Sequence, residues 1–171
     1  MRDIDLIRRP AIAGTAPLAS DRIRLTPLPE GTVLQIFGPA AGAASLAAAT
    51  AGSGLSLRGN GPGQWYLIGE SQASAATLPD GFSAVDQSHG RVRIAVEGSA
   101  VEQVLAKGTG IDLSQFEVGQ AATTLVGHVS AHITRTSVDR FELMPLRSFA
   151  ESLWHDLAIM AAEHLPVAGK A

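Results

Sequence analysis

Hydrophobic positions alternate with polar ones most clearly over residues 91–96. Val92, Ile94 and Val96 are separated there by charged or small residues, which predicts a strand with one buried face. Gly98 follows and is predicted to end the strand. This segment therefore provides the firmest starting point for assigning elements along the chain.

Two more strands are predicted beyond it. After residues 116–120, a long alternating pattern runs through Thr136 and predicts a second strand. Residues 140–145 follow after a short gap and are predicted to form its hairpin partner.

Two helices in this half are predicted to begin with capping boxes. Ser99 and Glu102 have the required spacing, in which each side chain hydrogen-bonds the backbone near the other, and Gly108 is placed to end the helix. Ser148 and Glu151 repeat the spacing and begin a second helix. Its apolar side chains at helical spacing are Phe149, Leu153, Leu157 and Met160.

The first half of the chain shows a similar order of elements. The predicted elements are a strand at 32–37, a helix at 40–51 entered through Pro39, strands at 56–58 and 64–68 around a glycine-rich turn at 59–63, and a short helical stretch after residue 71. The unit strand–helix–strand–strand–helix therefore occurs twice. Because one unit alone leaves a sheet face bare, we expect the halves to pack on each other or on a partner.

These patterns predict an α+β fold in a single domain over 32–165, with halves at about 32–80 and 86–165. Residues 1–31 contain four prolines and no convincing period, so an extended N-terminal arm is predicted there. Such an arm is either disordered or lies along a partner, and both alternatives stay open. Residues 166–171 are predicted to be a short tail.

Composition narrows the function classes. The net charge is −3 and the basic residues are scattered, so nucleic acid is not an expected partner. Asp3 and Asp5 interrupt the N-terminus, and no segment reaches the roughly 20 apolar residues of a membrane helix, so neither export nor membrane insertion is expected. Aromatic residues make up only 5%, which disfavours a flat cofactor held by this chain alone.

The chain contains no cysteine. This excludes disulfides, thiolate metal ligands and cysteine nucleophiles, and it is compatible with a reducing compartment. A cytoplasmic location is therefore expected.

His128 and His132 are four residues apart, the spacing of a ligand pair on a helix. The alternation around them predicts a strand instead, where four residues span about 13 Å at about 3.3 Å each. One zinc ion cannot bridge that distance. Both histidines are therefore predicted to lie on the polar face of a sheet, which is a plausible docking surface.

Asp86, Ser88 and His89 offer a carboxylate, a nucleophile and a base in one short stretch. Neighbouring side chains of an extended chain point to opposite faces, so a hydrolytic triad is not expected. Arg91 and Arg93 lie on one strand face and are predicted to form ordinary surface or subunit ion pairs.

Two further features bear on whether this chain binds a ligand or a partner. The glycine-rich turn at 59–63 leads into a strand, whereas a phosphate-binding loop leads into a helix, so it is interpreted as a hairpin turn. Trp154 lies beside Leu153 and Leu157 but off the main apolar stripe. It is predicted to mark a contact with a partner, and the alternative is simple incomplete burial in the monomer.

Several stretches share a pattern with one known family. They are DQSHGRVRI at 86–94, GSA at 98–100, DLSQFEVG at 112–119, FEL at 141–143 and RSFAESLW at 147–154. Together they resemble the gamma subunits of heterotetrameric sarcosine oxidases, and the resemblance extends to LQIFG at 34–38 and GQWYL at 63–67. It implies a fold similar to the folate-binding domain of the glycine cleavage T-protein.

The same resemblance implies a non-catalytic subunit that supports assembly of a flavoenzyme complex. That complex oxidatively demethylates sarcosine to glycine. Its alpha, beta and delta subunits would be the partners and would carry the FAD, FMN, NAD, tetrahydrofolate and zinc. No catalytic, cofactor-binding or metal-binding residue is assigned to this chain.

The alternative is a free-standing, folate-dependent protein similar to an aminomethyltransferase. Asp112 precedes Gly119 by seven residues, a spacing similar to that after the functional Asp of T-proteins. However, the T-protein segment rich in Asn, Glu, Gly and Asp is reduced here to residues 127–132. Residues 107–109 have Thr where folate-binding iron–sulfur repair proteins have Cys, which sets that relationship aside.

Overall fold

The structure is a computed structural model that describes residues 9–12, 15–70 and 77–166. The strands in these residues are β1 (Leu18–Ala19), β2 (Arg24–Pro27), β3 (Thr32–Phe37), β4 (Ser56–Gly61), β5 (Gln64–Gly69), β6 (Ser83–Asp86), β7 (Ile94–Glu97), β8 (Ala121–Val126), β9 (Val129–Ser137) and β10 (Arg140–Pro145). The α-helices are α1 (Ala43–Thr50), α2 (Val101–Leu105) and α3 (Ala150–Ala161). Short 3-10 helices lie at Ala40–Gly42, Leu113–Gln115, Arg147–Phe149 and Ala162–His164.

The strands form two antiparallel sheets, with orders β1-β2-β7-β10-β9-β8 and β4-β5-β3-β6. Apolar side chains of α2 and α3 pack on the six-stranded sheet, and Leu46 of α1 packs on the four-stranded sheet. Val33, Tyr66, Ile68 and Met144 form a third buried cluster between the two sheets. The predicted α+β class with antiparallel sheets is therefore confirmed, and the two sheets face each other with the helices outside.

The strand that directly precedes each half, its leading strand, pairs in the sheet of the other half. β2 precedes β3 in the chain but pairs with β7, placing Leu25 opposite Val96. β6 precedes β7 but pairs with β3, placing Val85 opposite Gln35. Each sheet is therefore extended by the strand that precedes the other half in the chain.

Strands β1 and β2 lie inside residues 1–31, where the sequence pattern predicts an extended arm. Ile23 and Leu25 are buried there and alternate with exposed polar residues, as in a strand with one buried face. Their pairing partner β7 is far along the chain, so local pattern alone did not identify them. A boundary at residue 32 therefore does not separate an arm from the sheets.

Several predicted elements agree closely with the structure. β3 and β10 have the predicted bounds, and β4 and β5 form the predicted hairpin around the glycine-rich turn. The short helix predicted after residue 71 falls at 71–76, outside the described residues, as do most of the predicted tail and parts of the predicted arm.

The long strand predicted through Thr136 is instead a hairpin of β8 and β9. Val126 pairs with Val129, which leaves a two-residue turn at Gly127 and His128. Gly127 has φ +60°, as the first central residue of a type II′ turn requires. A glycine in the middle of an alternating run was therefore the sign of a turn.

Both predicted capping boxes are wrong. α2 begins at Val101, whose N–H donates to the Gly98 carbonyl at 3.0 Å, and no side chain caps it. Glu102 instead accepts from Arg135 of β9 at 2.7 Å, so a tertiary ion pair replaces the local bond. The second helix is entered through the 3-10 turn Arg147–Phe149, again without a side-chain cap.

The predicted apolar stripe of α3 is partly correct. Leu153 and Leu157 are buried, but Phe149 precedes the helix and its side chain is 50% exposed. Trp154, predicted to mark a partner contact or else to be incompletely buried, is 9% exposed and belongs to the core under the six-stranded sheet. The prediction that Trp154 marks a partner contact is therefore not supported by its position. None of the helices in the described residues is long and apolar enough to cross a bilayer.

Candidate functional site

A layer of charged and polar side chains lies between the two sheets. At its centre, Arg58 of β4 donates from Nη1 to Glu142 Oε2 of β10 at 2.8 Å. The two side chains are only 7% and 8% exposed. A second guanidinium, that of Arg93, lies 3.7 Å from the same carboxylate oxygen. Because both halves contribute to this pair, it ties the sheets together across their interface.

Further groups extend the layer outward. Arg93 also donates to Glu70 at 3.0 Å, and this hydrogen bond lowers the pKa of the Glu70 carboxyl below its usual value. Arg91 donates to the hydroxyl of Tyr66 at 3.0 Å, and its guanidinium lies 5.5 Å from the centre of the Tyr66 ring. Arg93 therefore forms the predicted kind of ion pair, with its own side chain buried and with Glu70 and Glu142 as partners. Arg91 instead donates to a phenol hydroxyl.

His132 joins the layer from β9. Its Nε2 lies 2.8 Å from the carbonyl oxygen of Gly59, and since a carbonyl can only accept, Nε2 carries the proton. Thr134 Oγ1 is 3.5 Å from Nδ1, and the Tyr66 ring meets the imidazole edge-on with centroids 5.0 Å apart. The side chain is buried, so the prediction that it lies on an exposed docking face is wrong. The face is covered because both sides of β9 are packed.

The glycine-rich hairpin lies against the second half of the chain. Gly59 accepts from His132, and Asn60 Oδ1 accepts from the Thr123 hydroxyl at 2.6 Å. This hairpin therefore helps to connect the β4 edge of one sheet with β8 and β9 of the other.

Burial sets the protonation state of His132. It lowers the pKa of the imidazole from 6.5 to about 4, opposed by the bond to Gly59 and reinforced by the charges of Arg58 and Arg91. The unfolded chain therefore binds this proton at a higher pH than the folded protein does. The contribution of neutral His132 to the free energy of unfolding is therefore fully present above pH 6.5, and it is lost as the pH falls toward 4.

We predict that wild-type protein loses about 2 kcal/mol of unfolding free energy through His132 between pH 7 and pH 5. The variant His132→Gln keeps an N–H donor for Gly59 but cannot titrate, so its stability should change less over this range. Denaturant unfolding at both pH values measures the difference. Equal pH dependence in the two proteins would contradict the buried, neutral state of His132.

The other sequence candidates have local structural roles. Asp112 is an N-cap residue of the 3-10 helix Leu113–Gln115, and its Oδ1 accepts from the Ser114 hydroxyl at 2.6 Å and N–H at 3.1 Å. These bonds lower the pKa of the Asp112 carboxyl. The carboxylate is thus engaged in a surface turn.

Asp86, Ser88 and His89 do not share a proton path. Asp86 Oδ1 accepts from the Ser88 N–H at 2.8 Å, and hydrogen bonding to Ser88 lowers the pKa of Asp86. The buried Ser88 Oγ accepts from the Val33 N–H at 3.0 Å, while His89 is exposed. The stretch therefore forms a turn that connects β6 to the interface between the sheets.

The described residues contain no cluster of three or more His, Asp or Glu able to hold a metal ion. His128 occupies the β8–β9 turn and His132 the interior, so the two histidines are separated by environment as well as by sequence. Sequence reasoning missed Arg58 and Glu142, the centre of the layer. The available sign was Glu142 itself, a charge between the buried Phe141 and Leu143.

The fold belongs to the class of the glycine cleavage T-protein. The model superposes on aminomethyltransferase T of the glycine cleavage system from Bartonella henselae with a TM-score of 0.56 and 17% identity. The match covers 78% of this chain and 45% of the aminomethyltransferase, so this chain spans less than half of that protein.

A second solved structure matches over nearly the whole chain. It is the heterotetrameric sarcosine oxidase from Corynebacterium sp. U-96 in complex with pyrrole 2-carboxylate, with a TM-score of 0.78 and 24% identity. The match covers 96% of this chain and 98% of the matched chain. The family model for the sarcosine oxidase gamma subunit matches residues 41–163, so this chain belongs to the sarcosine oxidase gamma subunit family. Comparison with curated proteins finds no significant match.

Proposed function

We propose that this chain is a non-catalytic gamma subunit that supports assembly of a flavoenzyme complex. The complex would oxidatively demethylate sarcosine to glycine. The observation that carries the proposal is the family match over 41–163, and the fold similarity over nearly the full chain supports it.

The partners would be the alpha, beta and delta subunits of sarcosine oxidase. FAD, FMN, NAD, tetrahydrofolate and zinc would be bound by those subunits, and the complex would be cytoplasmic. The matched solved structure is itself described as heterotetrameric, which supports a multi-subunit setting for this chain.

The contacts that the polar side chains make support a structural role for this chain. Arg58, Arg93 and Glu142 are engaged with one another between the sheets, and His132 with Gly59. Asp112, the residue with a chemical precedent in T-proteins, is engaged in its own turn. In these contacts the groups hold the fold together and are not arranged around a reacting atom.

Exposed apolar side chains also support a subunit role, since such side chains commonly mark contact surfaces when they are grouped. In the part of the chain that the structure describes, the large ones are Phe37, Val85, Val118, Leu125, Val138, Leu146, Phe149 and Ile159. Phe37 and Val85 lie on neighbouring strands at one edge of the four-stranded sheet, and Leu146 and Phe149 lie at the start and the end of one 3-10 turn. These two places are available to a partner.

Co-expression tests the proposal. With an affinity tag on this chain and untagged alpha, beta and delta subunits, we expect the purified sample to contain all four polypeptides and to show flavin absorbance. A tagged T-protein folate-binding domain, of related fold, is the matched control and should retain no flavoprotein. Recovery of this chain alone under the same conditions would contradict the proposal.

The fold similarity to an aminomethyltransferase keeps the folate-dependent alternative testable. Titration of the isolated chain with tetrahydrofolate distinguishes the two functions. A non-catalytic subunit predicts no saturable binding, whereas micromolar binding that is lost in Asp112→Asn would favour the alternative.

A further inference from the structure

An open cleft of about 490 Å³ lies at one end of the six-stranded sheet. The loop after α2, the β8–β9 turn and one side of α3 enclose it, and Lys107, Thr109, His128, Asp156, Ile159 and Met160 are among its lining residues. None of the groups in the polar layer between the sheets contributes to it. The cleft is therefore a separate feature of the surface.

The one cation among these lining residues is already neutralised within the described part of the chain. Lys107 Nζ donates to the Met160 carbonyl at 2.6 Å and to Glu163 Oε1 at 2.8 Å. The hydrogen bond from Lys107 lowers the pKa of the Glu163 carboxyl. Lys107 and Glu163 thus satisfy each other at the rim.

Asp156 has no such partner in residues 9–12, 15–70 and 77–166. In these residues the Asp156 carboxylate accepts one hydrogen bond, a long one of 3.5 Å from the backbone N–H of His128 to Oδ2. A Cβ at Gly127 would lie 2.4 Å from the same oxygen, so the turn packs directly against the carboxylate. The carboxylate is therefore held in position at the cleft wall without a compensating cation.

An apolar wall stands beside this carboxylate. Ile159 is 60% exposed on α3, and Met160 adds a partly buried thioether. A negative group next to an open apolar surface matches a side chain with an alkyl stem and a cationic head. The cleft volume leaves room for that side chain and for part of the chain that carries it.

We propose that this cleft receives a basic side chain, an arginine in particular, from a partner subunit of the complex. The guanidinium would donate to Asp156, and its alkyl stem would lie on Ile159 and Met160. This inference rests on the proposed function, because it assigns one docking point within that assembly.

The test uses Asp156→Asn in the full-length chain with the co-expressed alpha, beta and delta subunits. Asn removes the charge but keeps an oxygen that can accept from the His128 N–H. Glu151→Gln is the matched control, since Glu151 is exposed on the same helix, about 140° around its axis from Asp156. Affinity of the tagged chain for the other subunits is measured at low and high salt.

We expect Asp156→Asn to bind the other subunits about tenfold more weakly or worse, with a smaller salt dependence, and Glu151→Gln to bind as the wild type does. Ile159→Ser, an exposed substitution that spares the core, should also weaken binding. Wild-type affinity in both Asp156→Asn and Ile159→Ser would overturn the docking site while leaving the proposed function intact. A wild-type chain that binds no subunit would overturn both.

Discussion

Replacing Glu142 by alanine is expected to lower the free energy of unfolding by about 3–5 kcal/mol. Its carboxylate is the buried counter-charge for Arg58 at 2.8 Å and Arg93 at 3.7 Å. Truncation leaves the Arg58 guanidinium between the sheets without its counter-charge and leaves Arg93 with Glu70 alone. Desolvation makes such an unpaired buried charge costly. Denaturant unfolding of both proteins at pH 7 gives the difference.

Glu97→Ala is the matched control for this substitution. Glu97 also pairs with Arg140, at 3.0 Å, but both side chains are about a third exposed, so its loss should cost less than about 1 kcal/mol. Arg58→Met combined with Glu142→Met should be less destabilising than the sum of the single substitutions, because the two groups interact directly. Similar losses for Glu142→Ala and Glu97→Ala would show that the pair does not hold the sheets together.

Leu25→Ala is the second substitution with a large expected effect, about 2–5 kcal/mol. Leu25 is fully buried on the exchanged strand β2, opposite Val96 of β7. Removing its side chain leaves a cavity under the six-stranded sheet, in a segment that the sequence pattern would place outside the domain. Thermal and denaturant unfolding measure the loss.

Arg24→Ala is the control for Leu25→Ala, because Arg24 lies on the same strand but its side chain is exposed. The Arg24 side chain is 54% exposed and 3.6 Å from Glu97, so its replacement should change stability by less than about 1 kcal/mol. An unchanged unfolding free energy in Leu25→Ala would mean that β2 is not part of the folded sheet, and the exchange of leading strands would then be rejected.

Sequence reasoning succeeded where the pairing partners were local. β3 and β10 were predicted with their observed bounds, and the β4–β5 hairpin followed from the glycine-rich turn. β2 was missed because the alternation of Ile23 and Leu25 with polar residues is short and lies among prolines, and its partner β7 lies in the other half of the chain. Period alone identifies a strand but not the sheet to which it belongs.

The role predicted for a single residue was correct only when the contacts of the face that it occupies had been anticipated. His132 was assigned to an exposed face because β9 alternates, but in this fold the second face is covered by the other sheet. Glu102 was assigned to a helix cap, yet Arg135 provides a stronger, charge-assisted partner. Both errors arise from contacts between distant parts of the chain, which a local spacing rule does not contain.

The central proposal is that this chain would supply structure, and no catalytic group, to a sarcosine oxidase whose chemistry would reside in the other subunits. The most direct measurement is sarcosine turnover by the isolated chain, by the complex of all four subunits, and by the other three subunits alone. We expect no turnover by the isolated chain, full activity in the complex, and poor assembly and activity when this chain is omitted. Demethylation of sarcosine by the isolated chain, or full assembly and activity without it, would refute the proposed structural role.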